Sequence, residues 1–414
     1  MIYEEIKNCR ICGNHKLVPV LNLGNQALTG VFPKKDQEVE KGPLELVKCD
    51  DQANPNACGL LQLKHNYNLS LLYGENYGYR SSLNKSMVDH LGLIVERIEK
   101  TINLKDKDLV VDIASNDSTL LKAYKNKNLQ LVGIDPTSEK FKEYYPPHIK
   151  HIPDFFSASR LKDFSEDKAK VVTSIAMFYD LENPTQFMQE IYEVLDDEGI
   201  WILEQSYMPK MIENVSYDTV CHEHLEYYAL KQIKWMVDKV GFKIVDVEFN
   251  EINGASFCLT LAKRNSKFTE SPKVNQILEK EKKEGYSEID VFRGFEKQVE
   301  KHKKDLIDFL NDLRSKGKKV IGYGASTKGN VILQYCNLSE KDVPYIAEVN
   351  EYKFGRFTPG SLIPIISEEE AKKLNPDYFM VLPWHFKENI LRREQDYLSS
   401  NGHFIFPLPK INIV

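Results

Sequence analysis

Three groups of side chains in this sequence have residue types and spacings that suit chemistry. The first is a set of cysteines near the N-terminus, the second a pair of acids that each follow an apolar run, and the third a histidine-rich segment. In chain order they are Cys9, Cys12, Cys49 and Cys58; Asp112 and Asp135; and Cys221-His222-Glu223-His224. They indicate a metal site, a cofactor site and a site for proton transfer.

The N-terminal cysteines fit a tetrahedral zinc site. Cys9 and Cys12 form a Cys-x-x-Cys turn, in which two thiolates can reach one metal ion. Cys49 and Cys58 supply a second pair, and the eight residues between them must fold back as a loop. The alternative is a set of reduced, buried thiols. Because no ligand position looks open, we expect a structural Zn²⁺ rather than a catalytic one.

The two acids predict a site for a ribose-containing cofactor. An apolar run, 109–111, leads into Asp112, a polar loop and a helical stretch, and a second run ends in Asp135. This order is the opening half of a nucleotide-binding α/β unit, in which loop N–H groups and a strand-end acid face the ligand. The dinucleotide fingerprint G-x-G-x-x-G is absent, so S-adenosylmethionine, which has a ribose but no phosphate, fits better. The alternative is any parallel α/β domain with two strand-end acids. The other residues expected at this cofactor are Ala114, Asn116, Pro136, Asp154 and Phe155.

The Cys221–His224 segment is the densest cluster of reactive groups. It is not the H-E-x-x-H motif of zinc proteases. In an extended segment His222 and His224 would point to one side and Glu223 to the other. Histidine is suited to accepting a proton near neutral pH, and this segment follows soon after the fifth predicted strand of the central domain. A structural histidine is the alternative.

The elements around these groups predict several domains. Strand and helix patterns alternate through the centre of the chain, and a charged stretch at 265–287, with few large apolar residues, indicates a linker. A long amphipathic helix over 289–313 follows it. We therefore expect a zinc-binding domain at 1–80, a central domain at 81–264, a linker and long helix at 265–318, and a C-terminal domain at 319–414.

The C-terminal domain begins with a strand, a glycine-rich loop and a helix over 320–330. The loop is not a Walker A motif, but bare backbone there could approach a phosphate or a ribose. A glycine-punctuated loop further on carries Arg356. The alternative is a small domain that only packs. We expect Lys328, Asn330 and Arg356 to bind substrate.

Composition narrows the choice of partners and compartment. The net charge is −6, so nothing predicts a nucleic-acid or membrane surface. No apolar run is long enough to span a bilayer, and the N-terminus lacks the apolar core of a signal peptide. Seven cysteines, an odd number, argue against a disulfide framework. We expect a cytoplasmic protein, and the sequence predicts no particular oligomeric state.

Over nearly its full length the chain resembles the three-domain sugar C-methyltransferases, which act on nucleotide-linked 4-keto-deoxysugars. The motifs that carry the resemblance occur in the order CRICG, YRSS, VDIASND, GIDP, DFFS, CHEHLEYY, GYGASTKGN, GRFTPG and VLPW. The resemblance implies an α/β fold in which a class I methyltransferase Rossmann-like sheet is flanked by an N-terminal zinc-binding domain and a C-terminal Rossmann-like domain. It also implies S-adenosylmethionine and structural Zn²⁺ as cofactors and a nucleotide-linked sugar as substrate.

By the same resemblance His224 is the base that removes a proton beside the ketone. Glu223 and Tyr79 would position the sugar or stabilise the enolate oxygen, and His222 joins the candidate catalytic residues. The tyrosine-rich loop would contribute further substrate contacts through Tyr77, Ser81 and Ser82.

The sequence departs from the family pattern at several of these positions. The family has glycines where this chain has Ala114 and Ser118, a tyrosine where it has Cys221, and an active-site histidine where it reads Phe178-Tyr179-Asp180-Leu181. The family's H-G-G-S is here Asn253-Gly254-Ala255-Ser256. The substrate-side changes suggest a different sugar, a different acceptor atom or lost activity. The alternatives are O- or N-methylation of a related nucleotide sugar, a non-catalytic nucleotide-sugar-binding protein and, fitting least well, a zinc hydrolase.

Overall fold

The computed structural model describes residues 2–73 and 79–414. The N-terminal part is built from short antiparallel strands. Its elements are β1 (Tyr3–Glu5), β2 (Leu17–Ala27), β3 (Lys41–Cys49), β4 (Leu61–Leu63), β5 (His65–Tyr67) and α1 (Leu69–Leu72). Strands β2, β3 and β4 pair in that order, and β1 pairs with β5.

The central domain begins with a helix that covers one face of its sheet. This helix is α2 (Lys85–Thr101), and it was predicted from the spacing of its apolar residues. Its buried residues form one stripe: Met87, Leu91, Ile94, Val95 and Ile98. The side chain of Asn84 caps the helix by accepting a hydrogen bond from the Ser86 N–H at 3.0 Å.

The central domain contains a seven-stranded sheet with its helices, and one further short strand that is not part of this sheet. In chain order the elements are β6 (Leu109–Ile113), α3 (Thr119–Lys122), β7 (Gln130–Ile134), β8 (Ile149–Ile152), α4 (Ala158–Phe164), β9 (Ala169–Ile175), α5 (Pro184–Val194), β10 (Leu195–Ser206), α6 (Met208–Glu213), β11 (Glu226–Tyr227), α7 (Leu230–Val240), β12 (Phe242–Asn250) and β13 (Ser256–Lys263). The sheet order is β12-β13-β10-β9-β6-β7-β8, and only the pairs made by β13 are antiparallel. This is the class I methyltransferase topology expected from the sequence, including the terminal strand pair.

Strand order places the candidate cofactor groups together. Strands β6, β7, β8 and β9 are neighbours and run parallel, so their carboxyl ends share one edge of the sheet. Asp112, Asp135 and Asp154 lie at or just beyond the ends of β6, β7 and β8. Strand β11 is an exception because it leaves the central domain and pairs with β4 of the N-terminal sheet. The Cys221–His224 segment therefore lies at the contact between these two domains.

The charged segment that was expected to be a linker contains a helix, α8 (Lys273–Lys283). Val274 and Glu281 of α8 are buried against the central domain. The Glu281 carboxylate accepts hydrogen bonds from the N–H groups of Leu230 at 2.7 Å and Lys231 at 3.1 Å, which begin α7. An acid on one helix thus caps the N-terminus of another. The apolar pattern could not indicate this helix, because much of its anchoring is polar.

The C-terminal domain follows the long helix α9 (Ile289–Ser315), which was predicted. Its elements are β14 (Val320–Tyr323), α10 (Thr327–Tyr335), β15 (Ile346–Glu348), β16 (Ile365–Ser367), α11 (Glu368–Lys373), β17 (Tyr378–Val381), α12 (Lys387–Arg393), α13 (Gln395–Ser399), β18 (His403–Phe406) and β19 (Asn412–Ile413). The sheet order is β16-β15-β14-β17-β18-β19, parallel except for β19. This is the Rossmann-like arrangement expected for this domain. Within the described part of the chain, no helix combines the length and the apolar character needed to cross a bilayer.

Candidate active site

The four N-terminal cysteines converge in the structure. Their Sγ atoms all lie within 4.8 Å of one another, with Cys9 and Cys58 at 3.4 Å and Cys12 and Cys49 at 3.5 Å. Tetrahedral Zn²⁺ with bonds of about 2.3 Å holds its sulfurs about 3.8 Å apart, so the set fits the ion. The eight-residue loop folds back because the Cys49 N–H donates to the Leu60 carbonyl at 2.8 Å. These four residues would hold a structural Zn²⁺.

Arg10, between the first two cysteines, joins the zinc site to the histidine segment. Its guanidinium is buried and donates to the carbonyl oxygens of Leu63 at 2.6 Å and His65 at 3.1 Å. Its Nε lies 3.8 Å from the carboxyl group of Glu226, the first residue of β11. Burial raises the pKa of Glu226 well above its ordinary value, and the charge of Arg10 opposes that rise. The sequence analysis did not single out Arg10, although its place within the Cys-x-x-Cys turn was visible.

The cofactor loop takes a backbone conformation that normally favours glycine. Ala114, Asn116 and Ser118 have φ angles of 58°, 49° and 61°. This left-handed region disfavours a Cβ, which explains why glycines are usual at two of these positions. Gly133 on β7 gives the loop its space, because a Cβ there would lie 2.5 Å from the Ser115 Oγ.

The two strand-end acids lie beneath this loop. The Asp135 carboxylate accepts hydrogen bonds from the Asn116 N–H at 2.8 Å and from the Thr137 N–H at 2.6 Å. The Asp112 carboxyl accepts one from the Thr173 hydroxyl at 2.5 Å. Burial raises the pKa of Asp112 to about 7 and raises that of Asp135. These carboxyls can accept hydrogen bonds from the hydroxyl groups of a ribose, which is what S-adenosylmethionine presents there.

The remaining cofactor candidates lie along the same edge of the sheet. Pro136 is half-buried directly after Asp135, and the Phe155 ring is 49% exposed. The Asp154 carboxylate pairs with Arg160 at 2.8 Å. Phe155 is therefore free to lie against an adenine ring, whereas Asp154 would have to share its carboxylate with Arg160.

The segment after the tyrosine-rich loop is attached to the cofactor loop. The Asn116 side chain accepts from the Ser81 N–H at 3.0 Å and donates to the Tyr79 carbonyl at 3.1 Å. The Ser82 N–H donates to the Asp117 carboxylate at 3.1 Å. The structure thus brings Tyr79, Ser81 and Ser82 next to the cofactor site, and Tyr77 lies outside the described residues.

The Cys221–His224 segment forms a turn rather than an extended strand. The His224 N–H donates to the Cys221 carbonyl at 3.2 Å. The two histidines therefore point to different partners, unlike the arrangement expected for a strand. His222 is fully buried, accepts from the Thr29 N–H at 3.3 Å and donates to the Gly42 carbonyl at 3.3 Å. Burial lowers the pKa of His222 to about 4. These contacts give His222 a structural place between the domains.

His224 turns toward the central domain. Its Nδ1 lies 2.8 Å from the Thr219 carbonyl oxygen, and its ring packs at 4.5 Å from that of Tyr179. A carbonyl oxygen only accepts, so Nδ1 carries the proton and Nε2 keeps its lone pair. Burial, with a smaller contribution from the Lys328 ammonium, lowers the pKa of His224 to about 3. His224 is thus a neutral imidazole with a defined tautomer.

Two acids border His224. Glu223 packs so closely against Gly30 that any Cβ there would collide with its carboxyl oxygen. Asp180 accepts a hydrogen bond from the Tyr73 hydroxyl at 2.9 Å, and the neighbouring Tyr179 carbonyl accepts from the Leu225 N–H at 2.8 Å. Burial raises the pKa values of both Glu223 and Asp180. Burial thus disfavours the ionised form of both carboxyls.

The C-terminal candidates divide into two places. Lys328 donates to the Asn253 carbonyl at 2.7 Å, at the edge of the central domain. Asn330 is fully buried and donates to the Thr29 carbonyl at 2.8 Å. Arg356 donates to the Phe32 carbonyl at 3.0 Å and stacks on the Tyr352 ring. It shares neither contact with Lys328 or Asn330.

The structure adds three residues that the sequence analysis did not select. The Trp384 indole N–H donates to the Asp218 carboxylate at 2.8 Å, across the contact between the central and C-terminal domains. His385 follows Trp384, and the Lys328 ammonium contributes to lowering the pKa of His385. The VLPW motif was the signal available for this cluster, but a motif does not reveal which distant carboxylate its tryptophan meets.

Comparisons with known proteins match three successive segments of the chain. Residues 9–73 match a family described as a zinc binding domain, and residues 87–247 match one described as a methyltransferase domain. Residues 251–409 match a family described as a C-methyltransferase C-terminal domain.

One curated relative aligns along the whole chain. It is the C-methyltransferase NovU of Streptomyces niveus, which is 27% identical over 419 residues, covering 100% of this chain and 98% of that protein. Solved structures overlap with part of the chain. A methyltransferase complexed with the Haloferax volcanii Trm112 activator is 14% identical, with a TM-score of 0.36, over 44% of this chain and 94% of that one. The plantazolicin methyltransferase BpumL is 12% identical, with a TM-score of 0.34. The overlap covers 42% of this chain and 82% of that one.

Proposed function

Because this chain belongs to the S-adenosylmethionine-dependent C-methyltransferases with a zinc-binding N-terminal domain, we propose that its substrate is a nucleotide-linked keto-deoxysugar. The methyl group is added to the carbon beside the ketone. The observation that carries the proposal is His224, a neutral histidine whose Nδ1 is committed to the Thr219 carbonyl at 2.8 Å. Its Nε2 is thereby left as a proton acceptor at the contact between the domains.

The reaction requires a base and a place for the charge that the base creates. A ketone acidifies the neighbouring C–H bond. His224 takes that proton on Nε2, and the electron pair moves into the carbonyl group to give an enolate. Bound S-adenosylmethionine supplies an electrophilic methyl group on a sulfonium. The enolate carbon forms the new C–C bond as the C–S bond breaks, its electron pair stays on sulfur, and the ketone is restored.

Glu223 and Asp180 fit the task of holding the sugar. Each has one buried carboxyl oxygen that makes no hydrogen bond to the described residues. Both groups can hydrogen-bond to a hydroxyl of the sugar, and burial, which raises their pKa values, shifts them toward the form that donates. A buried polar atom without a partner is costly, so a polar ligand at these oxygens would be favourable.

The C-terminal domain offers a place for the nucleotide. Glu348 ends β15 and accepts hydrogen bonds from the N–H groups of Ala325 at 2.9 Å and Asn350 at 3.0 Å. Asp135 holds the cofactor loop of the central domain in a similar way. We assign Glu348 to the sugar hydroxyl of the nucleoside and the loop before α10 to the diphosphate.

Product analysis tests the proposal. The purified protein is incubated with S-adenosylmethionine and a set of nucleotide-linked 4-keto-6-deoxyhexoses, and the products are examined by mass spectrometry and NMR. We expect a methyl group bonded to a ring carbon, which survives acid hydrolysis of the sugar. A methyl group on oxygen or nitrogen would contradict C-methylation, and cofactor binding without turnover of any keto-sugar would favour a non-catalytic binding protein.

A variant pair tests the base. His224→Ala should bind S-adenosylmethionine with unchanged affinity and lose turnover by about 10²- to 10⁴-fold, the usual contribution of a general base. His148→Ala is the matched control, because His148 is exposed on the central domain. Full turnover by His224→Ala would remove the base assignment.

We also propose a cytoplasmic location. All seven cysteines are free thiols in the structure, and four of them surround the zinc site. A reducing compartment keeps such thiols available as zinc ligands. Fractionation of cells that produce the native protein tests this assignment, and recovery from an oxidising compartment would contradict it.

A further inference from the structure

We propose that Lys328 stabilises the enolate oxygen formed when His224 deprotonates the substrate, a role that rests on the function proposed above. Lys328 is in the first turn of α10 in the C-terminal domain. His224 belongs to the turn before β11 in the central domain. Sequence spacing does not connect the two residues, but contacts between the domains do.

One series of contacts runs from Lys328 along the edge of the central domain. The Lys328 Nζ donates to the Asn253 carbonyl at 2.7 Å. The next residue, Gly254, lies against the C-terminal domain, because a Cβ there would be 3.8 Å from the ring of Trp384 and 3.9 Å from the Cβ of His385. The lysine head group and these two side chains therefore meet the same turn.

The series continues from Trp384 to His224. The Trp384 Nε1–H donates to the Asp218 carboxylate at 2.8 Å. The residue after Asp218 is Thr219, whose carbonyl accepts from His224 Nδ1 at 2.8 Å. The segment Tyr217–Thr219 thus contacts the C-terminal domain through Asp218 and orients the base through Thr219.

A second set of contacts fixes α10 from the other side. The Asn330 side chain donates to the Thr29 carbonyl at 2.8 Å, and the Thr29 N–H donates to His222 at 3.3 Å. A Cβ on the neighbouring Gly30 would collide with the Glu223 carboxyl and would lie 3.8 Å from the Thr327 Oγ1. The first turn of α10 and the His222–His224 turn are therefore held against the same residues of the N-terminal domain.

Lys328 is the cation whose charge acts on the candidate base. Its ammonium acts electrostatically on His224 and His385, and Asp218 and Cys221 act on the ammonium in turn. Burial, with a contribution from the Lys328 ammonium, lowers the pKa values of both histidines, so both rings are neutral near pH 7. Burial also lowers the pKa of Lys328, while Asp218 and Cys221 oppose that change.

Two orphaned atoms indicate that a polar ligand belongs here. The Asp218 Oδ1 and the His385 Nδ1 are both buried and make no hydrogen bond to the described residues. Buried polar atoms of folded proteins are nearly always satisfied, so an oxygen-rich ligand that reached these atoms would supply the missing partners. A sugar ketone between His224 and Lys328 fits that description.

The proposed step keeps its protons and electrons in balance. The substrate carbon gives its proton to the His224 Nε2, and the electron pair moves to the carbonyl oxygen. The Lys328 ammonium donates a hydrogen bond to that oxygen and stays protonated throughout. A cation in a water-poor site favours the enolate more than the ketone, because negative charge develops only on the enolate oxygen.

Enolate formation can be measured without methyl transfer. The protein and a nucleotide-linked 4-keto-6-deoxyhexose are kept in D₂O without S-adenosylmethionine, and deuterium incorporation beside the ketone is followed by NMR. At saturating substrate we expect Lys328→Met to slow incorporation by about 10²- to 10³-fold, the usual loss for one oxyanion donor. Lys341→Met is the matched control, because Lys341 is exposed on the same domain.

Two further measurements separate this role from phosphate binding and from misfolding. The affinities of Lys328→Met for UDP, dTDP and S-adenosylmethionine should stay within about threefold of the wild-type values. In the wild type, incorporation should decline at high pH as Lys328 loses its proton. In Lys328→Arg, that decline should move beyond the measured range, because a guanidinium keeps its charge.

The outcomes distinguish the inference from the function on which it rests. If the wild type neither exchanges nor methylates any keto-sugar, the proposed function and the role of Lys328 are both overturned. If the wild type is active and Lys328→Met exchanges at the wild-type rate while losing affinity for UDP and dTDP, Lys328 binds the diphosphate and only the present inference is overturned.

Discussion

Replacing Arg10 by methionine tests whether the zinc site stabilises the strand that follows the candidate base. The Arg10 and Glu226 side chains are only 2% and 0% exposed. Methionine fills a similar volume but leaves the carbonyl oxygens of Leu63 and His65 without their guanidinium donors. Neither carboxyl oxygen of Glu226 has a hydrogen-bond partner among the described residues, so the variant also leaves that group without its only nearby cation.

The expected cost follows from these losses. Leaving a buried acceptor without its donor costs about 1–3 kcal/mol, so the loss of the guanidinium donors at two carbonyl oxygens costs about 2–6 kcal/mol. Because burial raises the pKa of Glu226 well above its ordinary value, glutamine resembles the protonated acid that the site favours. We therefore expect Glu226→Gln alone to cost less than about 1 kcal/mol. The double variant Arg10→Met/Glu226→Gln should recover at least about 1 kcal/mol relative to Arg10→Met, which is the coupling expected of contacting residues.

The assay must report on this region, because a chain of several domains does not unfold as one unit. Hydrogen exchange of the zinc-loaded protein, read by mass spectrometry on peptides that cover residues 60–67, gives the local opening free energy. The Leu63 N–H, which donates to the Leu225 carbonyl at 2.8 Å, is the direct reporter. A loss of protection below about 1 kcal/mol in Arg10→Met, or no recovery in the double variant, would refute the reasoning.

Three further perturbations have defined outcomes. Burial raises the pKa of Asp112 to about 7 from an ordinary value of 3.8, so ionising it destabilises the fold as pH rises from about 4 to about 7. Hydrogen exchange of peptides that cover β6 should show Asp112→Asn gaining about 4 kcal/mol of local opening free energy relative to the wild type over that window and nothing further above it, and a constant difference would be the contrary result. Gly133→Ala should displace Ser115 and weaken S-adenosylmethionine binding at least about tenfold by calorimetry, whereas Gly92→Ala, with nothing within 4 Å of the new Cβ, should leave binding unchanged. Stripping Zn²⁺ with a chelator should unfold the strands around Cys49 and Cys58 and expose residues 60–67 to exchange, since a structural zinc site contributes folding energy directly, and retained protection would argue against a structural ion.

Local sequence patterns were sufficient to predict the strands of the central sheet, the cysteine cluster and the amphipathic helices. The seven central strands were visible as apolar runs, and their order places Asp112 and Asp135 at one edge wherever the loops go. Cys9, Cys12 and the later cysteine pair were readable as a metal site because the side chains themselves specify the chemistry. The amphipathic stripes of α2 and α9 were readable for the same kind of local reason.

The directions of the candidate catalytic side chains were decided only by the tertiary structure. His222 and His224 separate because their segment forms a turn, in which His222 is held by the distant residue Thr29 and His224 by Thr219, five residues before it. Glu281 caps α7 from a helix whose composition resembles a linker. Lys328 of the C-terminal domain meets the central domain at the Asn253 carbonyl, 75 residues away in the chain.

The physical reason is the same in each case. A hydrogen bond between groups far apart in the chain leaves no periodic pattern in either segment, since one donor and one acceptor at the right place are sufficient. Hydrophobic burial repeats along an element and so is written in the sequence many times. The sequence by itself therefore determined the cysteine cluster, the strands of the central sheet and the acids at their ends, and only the folded chain determined which polar groups meet around His224.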